Sequence, residues 1–330
     1  MENRIVAAVT GANGFVGSHL VDLLLEKNNE VRCITRKTSN LRWLEGKPVK
    51  NFDCGLFDKE GLKEALRDVN VLYHVAGVVK AKTMDGYLKG NVESTRNLMD
   101  VLLEVNPDIE RVVIISSQTA CGPSSEGYTV NEETEPHPLT RYGKSKLAQE
   151  KLAMEYSDRL PVTIIRPPAV YGERDTEIYL VFKTYKMGLM TLIGFDKKEV
   201  SLIHVKDLVD GLYLAAGSDK AVNQIYFISS KEFYNWKQVG KIIGKYMGRR
   251  ALSINLPHSL VFTIAAVAQF FSMFSSKAAT FNIEKAKDFV QKYWTCDITK
   301  AETQLGFKPS VSIDDGIKRT IAWYREMKWL

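Results

Sequence analysis

A glycine-rich turn between an apolar strand and an amphipathic helix constrains this chain more than any other feature. Residues 5–9 are all apolar and predict a buried strand, and leucines from position 20 onward recur at helical spacing. Glycine takes positive φ freely, and without a Cβ it lets backbone amides approach a phosphate at the positive end of the following helix. The turn therefore predicts a site for the pyrophosphate of a dinucleotide, with contacts from Gly11, Asn13, Gly14, Phe15, Val16 and Gly17.

Length and composition are those of a globular protein. The chain has 330 residues, 45% of them hydrophobic and 25% charged, and a formal net charge of +6. It has no Lys/Arg block with interleaved aromatic residues, so we expect no nucleic-acid partner. Its four cysteines lack any CxxC spacing, which predicts reduced thiols and neither a disulfide framework nor a metal site. Because the first strand leaves no room for a signal peptide, we expect a cytoplasmic location.

The glycine spacing resembles that of the short-chain dehydrogenase/reductase superfamily, and residues 14–20 are similar to its extended, epimerase/dehydratase-type branch. The resemblance covers essentially the whole chain. It implies an α/β fold with a doubly wound parallel sheet (a Rossmann domain) over residues 1–170, with return segments near 200–230. A smaller C-terminal α/β substrate-binding region would occupy most of 171–330. The alternative for the turn itself is a purely structural role.

Further apolar runs predict the other strands of this sheet. They end near residues 35, 54, 75, 115 and 166. In an open α/β sheet, ligands bind at the carboxyl ends of the strands. Residues that follow these strands are therefore the candidates for the site.

Arg36 and Lys37 follow the second strand, at the position that faces the adenosine ribose in a doubly wound fold. An acid here favours the 2′-hydroxyl of NAD, whereas a guanidinium favours the 2′-phosphate of NADP. This pair predicts NADP(H) as the cofactor. The alternative is a solvated charge pair just past a strand.

The resemblance assigns the remaining cofactor contacts. Asp53, with Cys54 beside it, resembles the acid that contacts the adenine amine, although a surface aspartate is the plain alternative. Asn91 matches an asparagine that braces the active site. The small residues after the fourth strand and the segment after the sixth would line the ribose and nicotinamide; the residues are Val75, Ala76, Gly77, Ser116, Pro167, Ala169 and Val170.

The catalytic candidates are Ser117, Tyr142 and Lys146. Tyr142 and Lys146 lie four residues apart in a predicted helix that runs to about residue 156, so they share one helical face. A phenol of ordinary pKa, about 10, becomes a usable acid–base when a nearby ammonium stabilises its phenolate. Lys146 would do this and also hold the nicotinamide ribose, while Ser117 would bind the substrate oxygen. Ser116 and Thr119 remain rival hydroxyl groups.

Departures from the sugar-modifying branches favour a different substrate class. Arg36, Ala169 and Gln118-Thr119 stand where nucleotide-sugar enzymes usually have an acid, an asparagine and, in dehydratases, Asp-Glu. Residues 31–36 and 116–123 are similar instead to 3β-hydroxysteroid dehydrogenases and dihydroflavonol-type ketoreductases. This resemblance implies NADP(H)-dependent interconversion of a ketone and a secondary alcohol on a lipophilic molecule, steroid-like or a long-chain 3-keto sphingoid base. The alternatives are a nucleotide-sugar epimerase or dehydratase and a non-catalytic NADPH-binding scaffold.

Residues 251–276 contain no Asp, Glu, Lys or Arg, and an apolar helix is expected over about 256–275. Three interpretations are open: a buried or pocket-lining helix, a helix that contacts the membrane from the cytoplasmic side, and a membrane span. The first two are preferred, since Pro257, His258 and Gln269 make a poor span. A homodimer is a further possibility, by analogy with the family.

Overall fold

The structure is a computed structural model that describes residues 5–274 and 281–330. Its strands in chain order are β1 (Val6–Thr10), β2 (Glu30–Ile34), β3 (Val49–Phe52), β4 (Val71–His74), β5 (Arg111–Ile115), β6 (Val162–Arg166), β7 (Ala169–Tyr171), β8 (Leu189–Ile193), β9 (Glu199–His204), β10 (Gln224–Phe227), β11 (Phe233–Tyr234), β12 (Leu252–Leu256) and β13 (Tyr293–Trp294).

The helices connect these strands and close the chain. They are α1 (Phe15–Glu26), α2 (Lys59–Leu66), α3 (Met84–Leu88), a π-helical turn (Lys89–Glu93), α4 (Ser94–Val105), α5 (Gln118–Cys121), α6 (Arg141–Met154), α7 (Tyr179–Lys186), α8 (Val205–Ala216), a 3-10 turn (Asp219–Ala221), α9 (Trp236–Met247), α10 (His258–Ser272), α11 (Ile283–Phe289), α12 (Thr299–Leu305) and α13 (Ile313–Glu326).

The main sheet has seven strands in the described part of the chain, all parallel, in the order β3-β2-β1-β4-β5-β6-β10. Helices α1 and α8 bury their apolar sides against one face, where Leu20, Leu24 and Leu212 are fully or almost fully buried. Helices α2, α4 and α6 cover the other face. The doubly wound parallel α/β fold expected from the sequence is therefore confirmed.

The parallel register places the carboxyl ends of the central strands at one edge of the sheet. Thr10 at the end of β1 pairs with His74 of β4, and His74 pairs with Ile114 of β5. The end of β5 in turn lies beside the end of β6, since Ile115 pairs with Ile165. The loops that follow β1, β4, β5 and β6 consequently meet along this edge, as the motif argument requires.

The C-terminal part adds two smaller sheets and two apolar clusters. Strand β9 pairs with β7, β11 and β13, while β8 and β12 form a separate parallel ribbon. Helices α7, α9 and α13 pack around a cluster that includes Phe182 and Tyr324. Helices α10 and α11 share a smaller one built on Val261, Ala265 and Ala286. Strand β10 returns from this half of the chain to the edge of the main sheet beside β6.

The apolar helix predicted over 256–275 is α10, and residue 275 of that prediction lies outside the described residues. Within residues 5–274 and 281–330, no helix has the length and apolar character required to cross a bilayer.

Candidate active site

The turn after β1 is packed so closely that two of its glycines admit no other residue. Gly11 has a φ of +65°, and a Cβ there would lie 2.9 Å from backbone atoms of Ala76. A Cβ on Gly17 would lie 2.2 Å from the carbonyl oxygen of Gly11. Helix α1 begins at Phe15, two residues earlier than its leucine pattern indicates, and no side chain caps its first turn. An uncapped helix N-terminus beside a Cβ-free turn fits a bound pyrophosphate.

Arg36 and Lys37 are exposed just beyond the end of β2. The backbone of Arg36 pairs with that of Cys54, and this pairing holds the loop after β2 against the segment after β3. Neither cation has an ion-pair partner among the described residues, and Asp53 next to Cys54 is also exposed. Burial raises the pKa of the Cys54 thiol to about 11, so this cysteine is not a reactive nucleophile.

Asn91 lies in the π-helical turn and connects the loop after β4 to helix α6. Its amide accepts a hydrogen bond from the backbone N–H of Val78 (2.7 Å) and donates to the carbonyl oxygen of Val78 (3.1 Å) and the hydroxyl of Ser145 (2.9 Å). Its side chain is fully buried. The loop Val75-Ala76-Gly77 is therefore held at a fixed distance from the helix that carries Tyr142.

The three hydroxyl groups after β5 have different surroundings. Ser117 Oγ accepts hydrogen bonds from Thr119 N (3.2 Å) and Thr119 Oγ1 (2.9 Å), which leaves the Ser117 proton available for donation. Ser116 instead donates to the buried carboxylate of Glu150, which also binds Arg166 through a two-point ion pair (3.0 and 2.7 Å). Of the three hydroxyl groups, Ser116 and Thr119 therefore give their protons to neighbouring side chains, which distinguishes them from Ser117.

Tyr142 lies in the first turn of α6, with its ring 6.2 Å from that of Tyr87. Burial raises the pKa of Tyr142 to about 12, and hydrogen bonding from Ser117 acts in the opposite direction. This corrects the expectation that Lys146 brings the phenol toward neutral pH in the structure as it stands. The Lys146 ammonium donates instead to Ile115 O (2.6 Å) and to Gln149 Oε1.

Lys146 is itself buried, and burial lowers its pKa to about 8, with the Glu150 carboxylate opposing the shift. The amine therefore titrates close to neutral pH. A group of this kind can change protonation state during turnover without a large free-energy cost.

A chain of buried hydrogen bonds leads from Lys146 back to the glycine turn. Gln149 Nε2 donates to Thr95 Oγ1 (2.8 Å), which lies 2.9 Å from His74 Nε2. His74 Nδ1 lies 2.8 Å from Thr10 Oγ1, which accepts from Ala76 N (3.1 Å). Thr95 uses its own proton on Asn91 O (2.7 Å), so His74 Nε2 must be the donor and Nδ1 the acceptor.

His74 is neutral in this chain, since burial together with the Lys146 charge lowers its pKa to about 3. The sequence analysis did not identify Thr10, His74, Thr95 or Gln149 as site residues. A histidine at the end of an otherwise apolar strand is the one signal that could have pointed to the chain of bonds.

Helix α11, from the C-terminal part, lies against the start of α6. Glu284 Oε2 accepts a hydrogen bond from the backbone N–H of Arg141 (2.7 Å). Asp288, one turn further, is close enough to Tyr142 to raise its pKa. Burial raises the pKa of Asp288 itself to about 7, and its Oδ1 has no hydrogen-bond partner in the structure. No sequence motif marks these two acids.

The segment after β6 lies beside the loop after β5 at the carboxyl edge of the main sheet. Pro167 is buried and its carbonyl oxygen accepts from Gln118 N (2.8 Å), which ties this segment to the loop after β5. Ala169 is exposed and Val170 half-buried at the start of β7. The predicted residues after β1, β4, β5 and β6 are thus at one edge of the sheet.

The sequence profile of the NAD dependent epimerase/dehydratase family matches residues 7–229. The chain belongs to this family. The match covers more than half of the chain, including the main sheet and the segments that carry Ser117, Tyr142 and Lys146, and it confirms the family expected from the glycine turn. Members of the family use a nicotinamide dinucleotide, which agrees with the uncapped, glycine-lined cradle at the start of α1.

Relatives within the family include proteins that act on lipids. The chain is 27% identical over 329 residues to the ceramide reductase of Caulobacter vibrioides, covering 99% of this chain and 96% of the relative. It is 26% identical over 326 residues to the decarboxylating sterol-4-alpha-carboxylate 3-dehydrogenase of Dictyostelium discoideum, covering 94% and 98%. The UDP-glucuronic acid 4-epimerase of Bacillus cereus, solved with UDP-glucuronic acid and NAD, has a similar fold (TM-score 0.79, 24% identity, 98% and 100% covered).

Proposed function

We propose that this protein is an NADP(H)-dependent oxidoreductase that interconverts a ketone and a secondary alcohol on a lipophilic substrate. The observation that supports the proposal is the hydrogen bond between Ser117 and Tyr142 at the end of β5, with Lys146 one turn along α6 and its ammonium on Ile115 O. A bound nicotinamide dinucleotide supplies or accepts the hydride. Ser117 has a proton to donate to the substrate oxygen, and Tyr142, hydrogen-bonded to Ser117, passes the proton that balances the hydride.

Lys146 and the bonds around it support the proton step. The amine has a pKa of about 8 and is buried beside the end of β5. In the structure as it stands this ammonium binds Ile115 O and Gln149 Oε1, and in the proposed step it would stabilise the phenolate that remains when Tyr142, one turn earlier on α6, gives up its proton. Lys146 would also hold the ribose of the dinucleotide, in line with the role of this lysine implied by the family resemblance.

Arg36 and Lys37 support NADP(H) over NAD(H). Both side chains are exposed at the ribose end of the site and lack an acidic partner in the described residues. A guanidinium binds a phosphate through two parallel hydrogen bonds, and within residues 5–274 and 281–330 no acid forms an ion pair with Arg36.

The lipophilic substrate class rests on the surroundings of the site and on the relatives. Helix α11 borders Tyr142, and it shares its apolar cluster with α10, whose outer side carries several exposed large apolar residues. Similarity to a ceramide reductase and a sterol dehydrogenase also supports a lipophilic substrate. We therefore propose a long-chain 3-keto sphingoid base, a ceramide-like ketone or a steroid as the substrate class.

Initial rates of NADPH oxidation with a panel of hydrophobic ketones test this proposal. The panel holds long-chain 3-keto bases and 3-ketosteroids, and UDP- and dTDP-sugars with NAD serve as controls. We expect turnover with at least one hydrophobic ketone, faster with NADPH than with NADH, and no conversion of the sugars. Conversion of a nucleotide sugar without net use of cofactor would show an epimerase or dehydratase instead.

A further inference from the structure

Helix α10 has an apolar side that no other part of the described chain covers. Its inner side packs through Val261 and Ala265, which are buried. The outer side carries an apolar stripe at helical spacing, with residues that are 42% to 79% exposed: Leu260, Ile264, Val267, Phe270, Phe271 and Phe274. Single exposed apolar residues are ordinary, but a contiguous set of this size marks an interaction surface.

The β8–β12 ribbon extends the apolar stripe. The register pairs Leu252 with Leu189, Ile254 with Thr191 and Leu256 with Ile193, so these six side chains share one face of the ribbon. Leu252 is 68% exposed and Ile254 39% exposed. Ile193 and Leu256 at the far end pack against the cluster under α10. The exposed part of the ribbon face therefore lies next to α10, whose outer side carries the apolar stripe.

Basic side chains lie at the opposite end of the ribbon from α10. Arg249 donates a hydrogen bond to Lys186 O, and Leu252 N donates to Gly188 O (2.8 Å), which brings the end of α7 and the start of β12 together. The exposed cations here are Lys183, Lys186, Arg249 and Arg250. None of the four has an ion-pair partner among the described residues, whereas Lys245 nearby on α9 is paired with Asp314 (2.8 Å).

We propose that this surface, made of the apolar stripe, the ribbon face and the four cations, docks on an anionic lipid bilayer. Apolar side chains would enter the boundary between headgroups and acyl chains, while the cations meet anionic headgroups. A second copy of the chain fits this surface less well, since it would have to offer acids opposite the four cations. Residues 251–274, which form much of the surface, contain no charged side chain.

The docking surface lies close to the candidate active site. Helix α11 packs on α10 through Ala286 and contacts the first residue of α6 through Glu284. Helix α11 therefore connects the helix that carries the apolar stripe to the helix that carries Tyr142. This arrangement suits a substrate that is dissolved in the membrane, but the docking itself does not depend on what the active site does.

Co-sedimentation of the full-length protein with vesicles tests the docking without any measurement of turnover. One vesicle preparation is phosphatidylcholine alone, and the other contains phosphatidylglycerol as well. We expect binding to the anionic vesicles that weakens as salt is raised, because the Debye length shortens from about 10 Å at 0.1 M to about 3 Å at 1 M. Binding to phosphatidylcholine alone should be much weaker.

Two double variants separate the apolar and the electrostatic contributions. Phe270→Ser with Phe271→Ser should weaken binding roughly 100-fold, as two aromatic side chains no longer enter the bilayer. Lys186→Glu with Arg250→Glu should weaken binding to anionic vesicles by at least about tenfold and leave the Arg249 hydrogen bond in place. Matched controls are Phe57→Ser, an exposed phenylalanine between β3 and α2, and the charge reversals Lys50→Glu with Lys59→Glu.

The controls should bind as the parent protein does, and circular dichroism should show all variants folded. Unchanged sedimentation of both double variants would overturn the proposal, as would a lack of binding by the parent protein to anionic vesicles. If the parent protein were a dimer in the absence of vesicles, and Phe270→Ser with Phe271→Ser made it a monomer, the result would show that a second copy of the chain covers the surface instead.

Discussion

Ser117 and Tyr142 are the two residues whose hydroxyl groups are left facing each other at the end of β5. Ser117 takes its two acceptor bonds from Thr119, and Tyr142 has Ser117 as its hydrogen-bonding neighbour. Ser116, one residue earlier, points into the Glu150–Arg166 pair on the buried side. A shift of one residue at the end of a strand thus decides between a hydroxyl that binds the buried ion pair and one that faces Tyr142, because side chains alternate between the two sides of a strand.

Removing the Tyr142 hydroxyl should stop the reaction and leave cofactor binding intact. We expect Tyr142→Phe to lower kcat by about 10²- to 10⁴-fold, the range for loss of a positioned acid–base group. The dissociation constant of NADPH, followed by its fluorescence, should stay the same. Tyr87→Phe is the matched control, since its ring is 6.2 Å away and it loses the same atom. Substantial turnover by Tyr142→Phe would remove the assignment.

The charge of Arg36 should set the choice between the two nicotinamide dinucleotides. Arg36→Gln removes a charge-assisted contact to the 2′-phosphate, so we expect KM for NADPH to rise about 10- to 100-fold and KM for NADH to change little. Lys50→Gln on β3 loses the same charge away from the ribose and serves as the control. A parent protein that used NADH as efficiently as NADPH would contradict the cofactor assignment.

At the scale of elements, β1, β4, α4 and α6 are joined by the hydrogen bonds that run from Ala76 to Lys146. In this chain of bonds the Lys146 ammonium donates to two acceptors, Thr95 Oγ1 accepts from Gln149 and from His74, and the neutral His74 forms the centre. A buried network that is fully satisfied fixes the elements it connects, since breaking any bond leaves a desolvated polar group. The glycine turn and the catalytic helix are consequently positioned relative to each other by side chains as well as by backbone.

Gln149 should tune the titration of Lys146. Gln149→Leu removes an acceptor from the ammonium, which lowers the Lys146 pKa further below about 8, whereas Gln149→Glu adds a negative charge and raises it. If turnover needs the ammonium, the alkaline limb of the pH–rate profile moves to lower pH in Gln149→Leu and to higher pH in Gln149→Glu. Initial rates across a pH series locate the alkaline limb in each variant. Profiles that coincide for the two variants would show that Gln149 has only a packing role.

At the scale of the whole molecule, the C-terminal part completes the site that the sheet begins. Glu284 and Asp288 reach the start of α6 from a helix about 140 residues later in the chain. A carboxylate at a helix N-terminus interacts favourably with the helix dipole and accepts from one of its unbonded amides. The position of Tyr142 therefore depends on how the two parts of the chain pack.

Loss of the Glu284 carboxylate should weaken this connection. We expect Glu284→Ala to lower the free energy of unfolding by about 1 kcal/mol, as for removal of a helix cap, and to raise KM for the substrate more than KM for the cofactor. Glu284→Gln keeps an acceptor oxygen and should fall between Glu284→Ala and the parent protein. Denaturant titration and steady-state kinetics provide the two measurements. Equal effects on both KM values would show a general loss of stability instead.

Much of the main sheet and the positions of Ser117, Tyr142 and Lys146 could be predicted from the sequence because they depend on short-range patterns. The strands predicted to end near residues 115 and 166 end at Ile115 and Arg166, and the one predicted to end near residue 75 ends at His74. Strand ends shift by a residue or two because their last residues depend on neighbouring loops. The helix predicted to run to about residue 156 ends at Met154.

Helix α10 shows where such patterns stop being informative. Its apolar residues occur on both the inner and the outer side of the helix, so their spacing does not identify which side is buried. Packing against α11 selects Val261 and Ala265 for the interior and leaves Phe270 and Phe271 exposed. The partners of Lys146 are of the same kind, since Gln149 is near it in the chain but Ile115 is brought to it by the sheet. Thr95, which binds Gln149, is brought there by α4.

By itself, then, the sequence determined the glycine cradle, the parallel sheet and the placement of a tyrosine and a lysine one turn apart on one helix, because strand and helix periodicity and glycine's backbone freedom act over a few residues. Only the tertiary structure decided which serine faces Tyr142, that burial raises the pKa of this tyrosine to about 12, and that α11 borders the site. These outcomes depend on the dielectric surroundings and on contacts between residues far apart in the chain, which exist only once the fold has formed.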